Sequence, residues 1–268
     1  MVSICCVLEK NGGKKKRLIL DLKQSGMSAK ARKKTHRVVH PRISDVIQDG
    51  LSLASGSTTR DDYDFFVLDF TDAFWHVPLH PSERQYFIGF DGVRYWMYLR
   101  AAQGSRNGPL AWAGPSALLA RCTQGLLSGS GESTNPRGRL QLYVDDPCIS
   151  IRGTTAERDD LVAAVVLSWL LCGFQLAFSK AQRGKEVTWI GAGLRHDGGS
   201  VTVTIPAAKL DEFRELVDTD AVKNIMSNKN LRKLAGKANH VASILYVWMP
   251  FLSELWGAIR DFDAESAS

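Results

Sequence analysis

The stretch "RLQLYVDDPCISIR", residues 139–152, decides the fold. Its alternating apolar residues predict a buried strand, a tight turn at Asp145 and Asp146, and a return strand over 148–152. Two adjacent carboxylates at the tip of an apolar hairpin repel each other and cost stability. They are tolerable as solvated turn residues, and useful where something positive sits between them and a third acid.

Upstream, "DFFVLDF" (64–70) is a near-continuous apolar run of strand length. "GPLAWAGPSALLARCTQGLL" (108–127) reads as a helix kinked at Gly114-Pro115, and "SGSGESTNPRG" (128–138) as a flexible loop. Downstream, Thr154 or Thr155 caps a helix over 156–172, and "FQLAF" (174–178) reads as a further strand. With the hairpin "QYFIGF-DG-VRYWMYL" (85–99, turning at Asp91-Gly92) set aside, residues 64–178 read strand, helix, strand, strand, helix, strand. That is the split βαβ, ferredoxin-like order. A β-α-β crossover makes its two strands parallel, so Asp69 and Asp145 reach the same sheet edge with Asp146 beside them. Three converging acids suit a divalent cation.

Around this centre, "RLILDL" (17–22) predicts a strand and "RISDVIQDGLSLA" a small helical piece. "VTWIGAGL" and "SVTVTI" predict a second hairpin meeting around "RHDGG", and the pattern is helical from Pro206 onward. The glycines of "GAGLRHDGG" are turn residues and not a dinucleotide fingerprint, since no helix follows them.

Charge is concentrated. Residues 10–42 hold twelve lysines and arginines against one acid, Asp21, a local +11 within a net charge of +6, so the remainder sums to −5. A basic arm beside an acidic body predicts a polyanionic partner bound through counterion release, with a solvated tail or a nuclear-import signal as the plainer alternatives. No apolar run is long enough to span a bilayer, and the opening residues lack a signal-peptide pattern. Five cysteines without a C-x-x-C pair argue against a disulfide framework or a zinc site and make a reducing, intracellular (nuclear or cytoplasmic) location the expectation.

"YVDD" (143–146), "LDFTDAF" (68–74) and "AAQGSRNGP" (101–109), in this order and spacing, resemble the reverse transcriptases of retroelements and retroviruses over roughly residues 5–260. The resemblance implies an α+β fold: partial fingers with the basic arm (1–62), a palm (63–205) and the start of a helical thumb (206–268). The palm carries an inserted fingers hairpin (about 80–102) and a primer-grip-like hairpin (about 186–205). It implies an RNA-directed DNA polymerase working on primed RNA or DNA template and dNTP, with two Mg²⁺ ions ~3.5–4 Å apart, Mn²⁺ being able to substitute.

On that resemblance Asp69, Asp145 and Asp146 hold the metals, with Phe70 counted among both metal and nucleotide contacts. The backbone amides of Asp72 and Ala73 meet the triphosphate, and Phe74 is the aromatic gate that collides with a ribose 2′-hydroxyl. Gln103 touches the incoming nucleotide, and Gly104 lets backbone approach closely. Lys10 and Arg17 clamp the β- and γ-phosphates, Lys180 is a candidate acid for pyrophosphate departure, and Trp189, Ile190 and Gly191 lie in the primer grip. Lys233, Lys237 and His240 recur at helical spacing, suited to a duplex backbone or to a solvated face.

Two departures stand out: Pro147 after the acid pair, where the family has an aliphatic strand residue, and Ala101-Ala102 in place of Leu-Pro. With a short fingers segment and no later RNase H, integrase or protease pattern, they suggest a fragment of a polyprotein or a truncated remnant. The rival readings are a non-catalytic nucleic-acid-binding remnant and an RNA-templated RNA polymerase or another palm nuclease-like enzyme, the latter two disfavoured by Phe74 and YVDD.

Overall fold

The computed structural model describes residues 3–10, 15–31, 38–55, 62–128, 136–197, 199–221 and 226–265. The central sheet contains β3 (Asp62–Val67), β6 (Gly138–Tyr143), β7 (Asp146–Gly153) and β8 (Gln182–Gly184), in the order β6-β7-β3-β8. Helix α3 (Gly108–Ser128) connects β3 to β6, and α4 (Thr155–Leu171) connects β7 to β8. β7 is antiparallel to both β3 and β6, so β3 and β6 run in the same direction with β7 between them. This is the split βαβ order expected from sequence.

A sheet covered on both faces explains why its strands read as near-continuous apolar runs. On one face Phe66, Leu68, Ile149 and Ile151 pack with Trp112, Leu127, Val165 and Trp169 of α3 and α4. On the other, Phe65, Val67 and Cys148 pack with Ile43 and Val46 of α2 (Ile43–Ser55). A three-stranded sheet completes that second layer: β9 (Glu186–Trp189), β10 (Ala192–Asp197) and β11 (Ser200–Thr204), contributing Val187, Trp189 and Leu194. Helix α4 begins where Thr154 and Glu157 form a reciprocal capping box.

A separate four-stranded sheet, ordered β2-β1-β4-β5, joins β1 (Ser3–Lys10) and β2 (Lys15–Asp21) to the inserted hairpin of β4 (Ile88–Phe90) and β5 (Tyr95–Met97). Helix α1 (Met27–Lys30) follows β2. The C-terminal part is helical, as expected: α5 (Ala207–Ala221), α6 (Asn228–Ile244) and α7 (Leu252–Glu265). Among the described residues no helix is long and apolar enough to cross a membrane.

Three local expectations are corrected. "FQLAF" is not a strand. Leu176 makes one isolated bridge to Phe70, and the fourth strand of the sheet is β8, six residues further on, because Phe178–Lys180 turns as a short 3₁₀ helix. "VTWIGAGL" breaks at Ile190-Gly191, both with positive φ, into β9 and β10. The inserted hairpin turns on Gly92-Val93, one residue later than expected. Phe90 pairs with Tyr95, only Gly92 has positive φ, and the Asp91 carboxylate instead accepts from the amides of Val93 and Arg94. β1 was not foreseen as a strand. Helix α3 runs continuously through Pro115, and most of the 128–138 loop lies outside the described residues.

Ile149 is fully buried at the centre of the sheet. Ile149→Ala should lower unfolding stability by about 2–5 kcal/mol, whereas Thr154→Ala, which removes the α4 cap, should cost only about 1 kcal/mol. Denaturant unfolding of the two variants checks the ranking.

Candidate active site

The acid turn is built by register. Tyr143 pairs with Asp146 across the β6–β7 hairpin, leaving Val144 and Asp145 as the two central residues. Val144 has φ 54, a left-handed conformation that a β-branched side chain rarely adopts. Four consecutive carbonyls are then tied down. The Trp112 indole Nε1–H donates to the Val144 carbonyl (2.7 Å), the Phe70 amide to that of Asp145 (3.0 Å), the Trp189 indole to that of Asp146 (3.0 Å) and the Leu68 amide to that of Pro147 (3.3 Å).

The Phe70–Asp145 bond brings the end of β3 against the acid turn. Asp69, Asp145 and Asp146 therefore come to one sheet edge. The Asp69 carbonyl accepts from the Ala177 amide (2.9 Å), while its carboxylate pairs with the half-exposed Lys180 ammonium. Burial first, and then the neighbouring Asp145 carboxylate, push the Asp146 carboxyl up to about 6. Among the described residues no group of three or more His, Cys, Asp and Glu side chains is placed to hold a metal ion, so the three acids share an edge without the expected convergence on one point, the Asp69 carboxylate being paired with Lys180. The donor set still suits Mg²⁺, which takes one or two carboxylates and draws its other ligands from water and substrate phosphates.

Pro147 marks the end of the β3–β7 ladder. In an antiparallel ladder a residue's N–H and C=O point to the same side, and the Pro147 carbonyl faces Leu68, just past the end of β3. Register places Leu68 directly opposite Pro147, so the missing N–H is the one that would donate back to the Leu68 carbonyl; the proline removes that one bond, and regular β3–β7 pairing stops at Val67 and Cys148.

After Asp69 the chain turns at Thr71-Asp72, with Asp72 at φ 52, into the 3₁₀ helix Ala73–His76. Ala73 is buried, Asp72 is exposed, and Phe74 is half-buried against the core, near Gly108 at the start of α3. Gln103 is half-buried, and its carbonyl accepts from the Leu20 amide of β2 (3.2 Å). A Cβ at Gly104 would lie 2.7 Å from the Leu20 carbonyl, so the close approach that needs this glycine is to β2. The side chains of Lys10 and Arg17 lie outside the described residues, their backbones belonging to β1 and β2.

On the other flank, Trp189 is buried and Ile190 and Gly191 form the β9–β10 turn, with φ 38 and 84. His240 approaches the Gly191 carbonyl (3.4 Å) and Lys237 pairs with Glu212, so both side chains are engaged within the chain. A cavity of about 510 Å³ opens here, bordered by Tyr143, Asp146, Ile190, Asn239, His240 and Ser243. Asp72, Val144 and Ile190 are the non-glycine residues of positive φ among those described, and all three lie on turns around the acid edge. Strained backbone clusters at functional sites. Sequence reading missed the hydrogen-bonding role of the two indoles: Trp112 looks like any core residue of an apolar helix, and nothing in its spacing marks a bond to Val144.

The fold these elements make is reverse-transcriptase-like, a mixed helix-and-sheet arrangement shared with solved viral enzymes. The chain is similar to the foamy viral protease-reverse transcriptase dRH in complex with double-stranded DNA (TM-score 0.59, 17% identity, covering 97% of this chain and 44% of that one). It is similar also to the foamy viral protease-reverse transcriptase in complex with RNA/DNA hybrid (0.57, 16%, 95% and 30%) and with double-stranded DNA (0.56, 18%, 97% and 52%). This chain thus spans about half or less of those chains. No family model matches it, and no curated protein matches it in sequence.

An acid whose folded pKa is raised lends stability below its unfolded value and loses it as pH climbs through the folded one. In metal-free buffer Asp146→Asn should therefore raise the unfolding midpoint at pH 7.5, with the gain vanishing near pH 4. Denaturant melts at the two pH values measure the difference.

Proposed function

We propose that this chain is the core of an RNA-directed DNA polymerase, transferring a dNTP to a primer 3′-hydroxyl on an RNA or DNA template. The observation that carries the reading is the hydrogen bond from the Phe70 amide to the Asp145 carbonyl, which holds Asp69 beside the acid pair at one sheet edge. The solved structures of similar fold are complexes with DNA or with RNA/DNA hybrid, which supports nucleic-acid binding here. The +11 segment suits a phosphate backbone.

In the reaction the primer O3′ gives up its proton to solvent and forms a bond to the α-phosphorus, the bond from that phosphorus to the bridging oxygen breaks, and pyrophosphate leaves. Asp69, Asp145 and Asp146 would hold Mg²⁺, which when bound supplies charge neutralisation at the attacking and leaving oxygens. The chain's own residues do the rest. The turn at Asp72-Ala73 offers backbone to the triphosphate, and Phe74 sets the sugar-excluding wall. Gln103, fixed to β2 through its carbonyl, faces the base and sugar. Lys10 and Arg17 are assigned to the outer phosphates on the sequence resemblance. Lys180 supplies a proton to the departing pyrophosphate, and its ion pair with Asp69 supports this by keeping an ammonium at the acid edge. Phe70 packs among Trp112, Trp169 and Phe174, and its backbone completes the metal side of the site. The turn of Ile190 and Gly191, anchored by buried Trp189, would serve as the primer side, Ile190 bordering the cavity that opens on Asp146. In this reading the four-stranded sheet belongs to the fingers, the central sheet to the palm and α5–α7 to the thumb.

The assay is Mg²⁺-dependent dNTP incorporation on a primed RNA template. Asp145→Asn should reduce incorporation by at least about a hundredfold while the fold melts normally. An unchanged rate would refute the mechanism. Phe74→Val should raise NTP use relative to dNTP, read from incorporation on the same primer with each nucleotide; unchanged rejection removes the gate assignment.

A further inference from the structure

The acid turn carries two restraints of an unusual kind. Trp112 and Trp189 are each 1% exposed, and each spends its only polar group on a backbone carbonyl of this one turn, Val144 and Asp146, on either side of Asp145. They arrive from opposite layers: Trp112 from α3, under one face of the central sheet, and Trp189 from β9, on the other face. Asp145 therefore stands on a peptide segment held from both faces, in a turn that a β-branched residue at φ 54 would otherwise leave.

We propose that Trp112 and Trp189 are positioning residues whose indole N–H groups fix the carboxylates of Asp145 and Asp146 for metal binding. The inference rests on the polymerase reading, and it assigns these tryptophans a purpose beyond packing. The same core contains a natural control. Trp169, also 1% exposed, packs its ring on Phe70 as Trp112 does, but donates its indole N–H to Thr123 Oγ1 (2.8 Å) in the α3–α4 interface and not to the turn. All three tryptophans bury an indole and make one hydrogen bond. Two of those bonds end on the acid turn.

The test compares Trp112→Phe, Trp189→Phe and Trp169→Phe in the full chain. Mn²⁺ binding is measured by the electron paramagnetic resonance of free Mn²⁺, and dNTP incorporation on primed RNA is measured beside it. Each variant loses one buried donor, so the unfolding midpoints of all three should fall to a similar extent. Only the two turn variants should weaken Mn²⁺ binding, by roughly tenfold, and lower kcat by about tenfold to a hundredfold. Replacing either tryptophan with benzothienylalanine, which keeps the bicyclic shape and puts sulfur in place of N–H, should reproduce the losses and separates the hydrogen bond from ring volume.

If the wild type binds Mn²⁺ and incorporates dNTP but the turn variants match Trp169→Phe, the positioning role is overturned and the polymerase reading stands. Benzothienylalanine at 112 and 189 with wild-type metal binding overturns it equally. A wild type that neither binds Mn²⁺ nor incorporates dNTP overturns the polymerase reading and, with it, the purpose assigned to the indoles.

Discussion

Everything near the acid edge depends on the segment Val144–Pro147 being held where its sequence alone would not keep it. Two like charges, a valine in a left-handed conformation and a proline next to the turn all weigh against a well-ordered hairpin tip. Against them stand four carbonyl acceptors in a row, with donors rooted in three places: α3, the residues just past β3 (twice) and β9. Individually such bonds contribute about 0.5–1.5 kcal/mol net, and strain of this type costs of order 1–3 kcal/mol. The balance is close enough that the donors matter singly. The hairpin tip is consequently a property of the tertiary packing and not of the local sequence.

The layers explain how those donors come to be available. Because the central sheet is covered on both sides, β3 and β7 contribute side chains to two separate cores, Phe66 and Ile149 to one, Phe65 and Cys148 to the other. Each core delivers one indole to the sheet edge. The second layer, made of α2 and the β9–β11 sheet, also brings the Ile190-Gly191 turn and α6 alongside the acids, so the cavity beside Asp146 is walled by residues from four stretches of chain far apart in sequence.

Much of this was legible in the residues. The apolar run before Asp69, the alternation before Asp145 and the two long helices were sufficient to give the strand order, because burial on both faces leaves a strong imprint on composition. The acids' common edge followed from crossover geometry. What was illegible depended on contacts without a periodic signature. The "FQLAF" segment has strand-like residues, yet it lies against the loop after Asp69, with Thr71 donating to Gln175 and Ala177 donating to Asp69, and pairs only briefly. Asp91-Gly92 looked like a turn centre because the pair favours one; the aspartate's side chain satisfies the Val93 and Arg94 amides and moves the centre by one residue. Pro147 does remove a ladder donor, as its chemistry requires, and the regular pairing of β3 with β7 stops at Val67 and Cys148.

The short loop from Ala101 to Gly104 has a mechanical meaning of its own. At its start the Ala101 amide is bonded to the Val77 carbonyl (2.9 Å), just past the 3₁₀ turn that carries Phe74. Two residues later the Gln103 carbonyl is bonded to Leu20 of β2 (3.2 Å), and at the next residue there is no room for a side chain. With so little slack between its anchors, the loop acts as a rivet between the N-terminal sheet and the stretch following β3. Sliding one past the other would have to shear both bonds together, so bending between these parts has to be taken up elsewhere along the chain.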